Sequence, residues 1–189
     1  MSTDRMASSL KFRISVCARD EVPAIAGRGI THLLSIDKPD EPTPTPEVYD
    51  GVHWHVQFDD IVSQAEAEEF DATLPEIEDI RQVLDYADCC LQSSHTQPVH
   101  LLVHCQAGIS RSTAAAYAMV SQMLGEGREQ DALEHLFDIR PEASPNKLVV
   151  KHADAILNRN GKLLEALESL QRERDRDDNA AATGQGNDE

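Results

Sequence analysis

Residues 99–116 read VHLLVHCQAGISRSTAAA, and this stretch decides the fold. Residues 99–104 form an apolar run of the kind that makes a central strand covered on both faces. From about Ser112 an alanine-rich segment continues to Leu124 as a helix, and Gly125 and Gly127 stop it. Between the two lies Cys105-Gln106-Ala107-Gly108-Ile109-Ser110-Arg111-Ser112. A strand that enters a helix through a short loop is the unit of α/β folds, whose chemistry sits at the C-terminal ends of the strands.

Upstream, Leu10, Phe12, Ile14 and Val16 alternate with polar residues, the period of a half-buried strand. A short turn of helix or loop (EVPAIAGRG) leads to a second strand over 31–36 and a third over 52–58. Pro39, Pro42, Pro44 and Pro46 make the segment between them a surface loop. From residue 73, Leu74, Ile77, Ile80, Val83, Leu84, Ala87 and Leu91 recur at helical spacing over some twenty residues. Downstream, one helix carries Ala132, Leu133, Leu136 and Phe137 and ends before Pro141. Another runs from Asn146 to about residue 158, and 162–170 forms a short last one. The fold class expected is α/β, a mainly parallel central sheet flanked by helices, in one domain over 10–171. Residues 1–9 and 172–189 are expected to be disordered, since their charged or small polar composition has no apolar periodicity.

A chain of 189 residues with 40% hydrophobic and 27% charged residues fits a single globular domain. Its net charge of −17 argues against nucleic acid and against an anionic membrane surface. Solubility is the favoured reading of that charge. The other is an acidic docking face for a basic partner, starting at Glu66, Glu68, Glu69 and Asp71. No run approaches the ~18 apolar residues of a membrane helix, and the first residues lack a signal-type stretch. Cys17, Cys89, Cys90 and Cys105 show no zinc spacing and are expected as free thiols in the cytoplasm. No cofactor or metal is expected: His53 and His55 share a strand face but have no third ligand.

The five residues between Cys105 and Arg111 are enough to curl the backbone into a cradle where amides from Gln106 to Arg111 converge on one anion. Gly108 allows the tight backbone this needs. The positive end of the following helix adds to the site. Such an environment binds a phosphate dianion and stabilises a thiolate in the same place. Arg111 offers a planar fork to two phosphate oxygens. Ser112 can donate a hydrogen bond to sulfur and ease its departure.

The string His104-Cys105, five residues, Arg111-Ser112 resembles the signature of the cysteine-dependent protein tyrosine phosphatases, dual-specificity-like subgroup. The fuller HCQAGISRSTAAA is similar to small bacterial members. The likeness extends across about residues 10–160 in the order and spacing of elements. It implies hydrolysis of phosphomonoesters on protein tyrosine, or on serine and threonine too, through a cysteinyl-phosphate on Cys105. It also implies an upstream aspartic acid that protonates the leaving oxygen. Asp60 fits that spacing best, and Asp59 is the fallback; alone, the pair reads as a turn cap. Asn146, after Pro145, resembles the family's Pro-Asn segment that buttresses the phosphate loop, and equally reads as a plain N-cap. His104 is expected to shape the loop by hydrogen bonding. Cys17, ending the first strand, reads as a core thiol, with a disulfide to oxidised Cys105 as the minor alternative. The partner implied is a phosphorylated protein. A non-catalytic phospho-binding module would need a defective Cys, Arg or acid. An RNA 5′-triphosphatase or inositol-lipid phosphatase would want lysines in the loop, and Arg111-Ser112 argues against a rhodanese-like enzyme.

Overall fold

The central strand of the sheet is the one that ends in Cys105. The computed structural model describes residues 11–183. β1 (Arg13–Ala18), β2 (His32–Asp37), β3 (Val52–Gln57) and β4 (His100–Cys105) form one sheet in the order β1-β4-β2-β3, with every pairing parallel. β2 and β4 are therefore internal. All six residues of β2 are buried, while edge strand β3 buries only Val56. The four expected strands agree with these to within a residue at most ends, though β1 begins only at Arg13.

The helices are α1 (Val22–Ile25), α2 (Gln64–Phe70), α3 (Ile77–Ser94), α4 (Arg111–Leu124), α5 (Glu129–Ile139), α6 (Lys147–Ile156) and α7 (Lys162–Thr183). A 3-10 turn at Arg19–Glu21 precedes α1. Most of the apolar core lies on one face of the sheet. There Phe12, Ile14, Val16, Leu101, Val103 and Cys105 meet buried residues of α3, α4, α5 and α6. The opposite face carries a smaller cluster of Cys17, Val22, Ala26, Ile30, Leu33, Tyr49 and Leu102. α4 is buried along most of its length, with Ala114, Ala115, Ala116 and Ala118 all inaccessible to solvent between the sheet and the neighbouring helices. Small side chains let that helix approach β4 closely and fix where its N-terminus points.

Three features depart from expectation. α3 starts at Ile77, after Pro75, with the Asp79 carboxylate accepting from the Glu76 amide at 2.8 Å. Helix α2 is new. Ser63 caps it by accepting from the Glu66 amide at 3.3 Å, and Asp71 closes it in the left-handed region at φ 50°. The last helix continues to Thr183, past the domain end expected at residue 171. Glu, Arg and the run of three alanines at 180–182 supply helix propensity there without an apolar stripe. The expected disorder of residues 1–9, and of 184–189, lies outside the described residues.

Candidate active site

Loop 106–110 follows β4 and turns its carbonyls outward. The Gln106 oxygen accepts from the Arg19 amide at 3.2 Å, and the Ile109 oxygen from the Ser144 amide at 2.8 Å. Arg140 donates through Nη2 to the Ala107 oxygen at 3.4 Å and through Nε to the Gly108 oxygen at 3.1 Å. The Ser110 oxygen accepts from the amides of Ala114 at 3.0 Å and Asn146 at 3.3 Å. In a trans peptide the N–H points opposite to the preceding C=O. Five outward carbonyls therefore turn the amides of residues 107–111 to the other side, which is the concave side of the loop. Gly108 sits at φ +68°, and a Cβ there would lie 2.5 Å from the Cys17 carbonyl carbon. Only glycine fits that close approach to β1.

Cys105 is 2% exposed, and its sulfur lies 3.1 Å from the Ser112 hydroxyl. Arg111 is equally buried. Its Nη1 donates to the Phe58 oxygen at 2.8 Å, while Nε is buried without a protein partner. A guanidinium held on one edge and unsatisfied on another, at the N-terminus of α4, is an arrangement that an anion would complete.

The end of β3 delivers the carboxylates. Asp59 is clasped by residue 73: its amide donates to the Thr73 oxygen at 2.8 Å, and its Oδ2 accepts from the Thr73 amide at 2.9 Å. Asp60 is exposed and turns to the phosphate loop. Its Oδ1 accepts from Ser110 Oγ at 2.6 Å and from Asn146 Nδ2 at 2.9 Å. Of the two readings of Asn146, the structure shows the N-cap, while the rest of its side chain reaches the Asp60 segment and not loop 106–110. Its Oδ1 caps α6 by accepting from the amides of Leu148 at 3.0 Å and Val149 at 3.1 Å. Its Nδ2 also donates to the Ile61 oxygen at 3.2 Å.

His104 is fully buried, with Nδ1 3.5 Å from the Cys105 oxygen and Nε2 2.6 Å from Ser35 Oγ. A carbonyl only accepts, so Nδ1 carries the proton and the Ser35 hydroxyl donates to Nε2. Ser35 then accepts from His53 Nε2 at 2.7 Å, and His53 Nδ1 accepts from Thr45 Oγ1 at 2.7 Å. One directional chain thus runs from the proline-rich loop to the base of the phosphate loop. Burial pushes His104 down to about 4, so the ring is neutral and acts by hydrogen bonding. His55 pairs with Asp37 at 3.1 Å, so both histidines of that strand face are engaged in the fold. Among the described residues, no group of three or more His, Cys, Asp or Glu side chains is arranged to hold a metal ion.

Cys17 lies beside His104 in the β1–β4 register, one position from the pair Ala18 and Cys105. Side chains alternate across a sheet, and the two sulfurs belong to opposite clusters. Burial, then Glu21, pushes the Cys17 thiol up to about 12. It is a core thiol, set apart from Cys105 by the sheet. All four cysteines are unpaired.

Arg140 is the member of this site that sequence reading misses. Besides the two loop carbonyls, it pairs with Glu21 at 3.4 Å and Glu142 at 3.1 Å. No local pattern marks it, because apart from Glu142 its partners lie far away in sequence.

No protein-family model matches the chain. A 56-residue segment is 39% identical to the human protein phosphatase Slingshot homolog 3; it covers 30% of this chain and 8% of that relative's length. The fold is similar to the Yvh1 phosphatase domain from Chaetomium thermophilum, with a TM-score of 0.57 and 20% identity. That match covers 82% of this chain and 94% of the other. Human DUSP28 gives a TM-score of 0.56 at 15% identity, covering 85% and 94% of the two chains. By its parallel sheet order and the loop that joins β4 to α4, the chain shares the fold of these two structures.

Proposed function

We propose that the chain is a protein-tyrosine phosphatase that hydrolyses phosphomonoesters through a cysteinyl-phosphate on Cys105. The observation that carries this reading is the buried, unpartnered Nε of Arg111 beside a loop whose carbonyls all point outward. A phosphate over Cys105 satisfies that nitrogen and the inward amides together.

In the first step the Cys105 thiolate attacks phosphorus as the P–O bond to the tyrosine oxygen breaks. Asp60 gives its proton to that oxygen, and tyrosine leaves. The amides and Arg111 hold the three non-bridging oxygens throughout. In the second step a water attacks phosphorus from the vacated side, losing its proton to the Asp60 carboxylate. The P–S bond breaks, the sulfur leaves as a thiolate that accepts a hydrogen bond from Ser112, and inorganic phosphate is released. The chemistry needs no metal or organic cofactor.

Gln106, Ala107, Ile109 and Ser110 bring no extra cation to the loop. This favours a peptide phosphate over a polyphosphorylated lipid or an RNA triphosphate end. Four free thiols and a net charge of −17 fit a cytoplasmic enzyme that avoids nucleic acid and anionic membrane. Among the described residues, no helix is long and apolar enough to cross a membrane.

The test is turnover of nitrophenyl phosphate and of matched phosphotyrosine and phosphothreonine peptides, with Arg111→Lys beside the natural protein. The proposal expects phosphate release, faster from phosphotyrosine, and a loss of at least about a hundredfold in kcat/KM for the variant. No release, or near-normal kinetics in Arg111→Lys, would place the anion site elsewhere.

A further inference from the structure

Helix α2 is fastened at both ends yet contributes no buried residue. At its start the Val62 amide donates to Glu66 Oε2 at 2.7 Å, and Ile61 is held by Asn146. At its end Asp59 and Thr73 close the segment with two hydrogen bonds. This short helix is fastened by polar contacts at both ends, and large apolar side chains at its end and just before it are exposed. Phe70 is 63% exposed and Val62 46% exposed.

Those two residues line a groove together with Ser144, Pro145 and Lys147, and Asp60 and Ser110 line it too. The groove therefore opens from the same pair that joins the candidate acid to the phosphate loop. A polypeptide with its phosphate over Cys105 could extend into this groove. Glu66 lines the groove, and Glu68, Glu69 and Asp71 lie along the same helix and its cap, against the single cation Lys147. The local field disfavours an acidic peptide.

We infer that the Phe70–Val62 groove is a substrate-specificity subsite that takes a large apolar side chain next to the phosphorylated residue, in a peptide with basic flanks. This rests on the activity proposed at Cys105. The occupant is the substrate polypeptide because the groove is continuous with the candidate catalytic residues and its charge is complementary to a basic segment.

Two measurements test it. The first is kcat/KM on phosphotyrosine peptides that differ only in having leucine or serine in the positions adjoining the phosphotyrosine, with lysine or glutamate beyond. Nitrophenyl phosphate serves as the substrate without flanks. The natural protein should prefer the leucine, lysine-flanked peptide by on the order of tenfold, mostly through KM. Phe70→Ala should reduce that preference to about twofold or less and leave nitrophenyl phosphate kinetics unchanged. The second is binding of the same peptides to Cys105→Ser protein, which reads the preference without turnover. Equal binding and rates for all peptides, or a preference that survives Phe70→Ala, overturns the inference. If nitrophenyl phosphate is not turned over, the phosphatase reading fails, and the binding series alone still decides whether the groove selects apolar, basic-flanked peptides.

Discussion

Ser110 Oγ donates to Asp60 Oδ1 at 2.6 Å. The loop that surrounds the sulfur is thus tied directly to the carboxylate that faces it. Asn146 Nδ2 donates to the same oxygen at 2.9 Å. Two donors thus meet at Oδ1, and on the proposed mechanism Oδ2 is the oxygen that would serve the leaving group. Asp59, one residue earlier, is committed to Thr73 and has no such freedom.

Asp60→Ala should slow hydrolysis of a phosphate ester with a poor leaving group by about a hundredfold to ten-thousandfold. A good leaving group such as nitrophenolate should lose far less, because it departs without a proton. Steady-state rates across a series of aryl phosphates check this. Equal losses along the series would remove Asp60 from the acid role.

Asn146→Asp separates the two jobs of that side chain. An aspartate still caps α6 through a carboxylate oxygen, but it puts an acceptor where Nδ2 now donates to Asp60. Because Asn146 is buried and the new oxygen would face both Asp60 and the Ile61 carbonyl, stability should fall by about 2–4 kcal/mol. The rate on a poor leaving group should fall about tenfold or more, with nitrophenyl phosphate affected less. Unchanged leaving-group dependence would make Asn146 a cap and nothing else.

The central unit was legible because its chemistry is local: a doubly covered strand, a loop with Gly108, and a helix with Arg111 at its start all fall within 99–116. The parallel sheet followed from strands separated by helices or long loops. Spacing favours Asp60 over Asp59 in the sequence, but the Thr73 clasp that engages Asp59 across the loop leaves no local sign. Helix α2 escaped notice because a helix that buries nothing leaves no apolar period. Its one trace is Ser63 followed three residues later by Glu66, the spacing of a capping box. Arg140 was invisible for the opposite reason: its role lies entirely in contacts to residues 107 and 108. Ser35, the polar residue in apolar β2, shows in hindsight where His104 finds its partner.

The buried histidines set how stability changes with pH. Burial pushes both His104 and His53 down to about 4, from an ordinary value of 6.5. Below pH 6.5 the unfolded chain takes up protons that the native state refuses until about pH 4. Their contribution is thus fully present above pH 6.5 and is lost as pH falls through that window. For His104 alone the loss is on the order of 3 kcal/mol. Urea unfolding across about pH 7 to 4.5 should show this slope, and His104→Asn should flatten part of it. Stability that is flat over the same range would contradict the neutral, buried assignment.

The covalent step is the claim on which the rest depends, and it can be seen directly. Turnover of an aryl phosphate by Asp60→Ala, in which breakdown of the intermediate is slowed, is quenched rapidly and the protein is digested and weighed. The peptide that contains Cys105 should carry one phosphoryl group, and the same peptide from a Cys105→Ser, Asp60→Ala protein should carry none. A phosphoryl group on another residue, or continued turnover in the Cys105→Ser protein, would contradict the account.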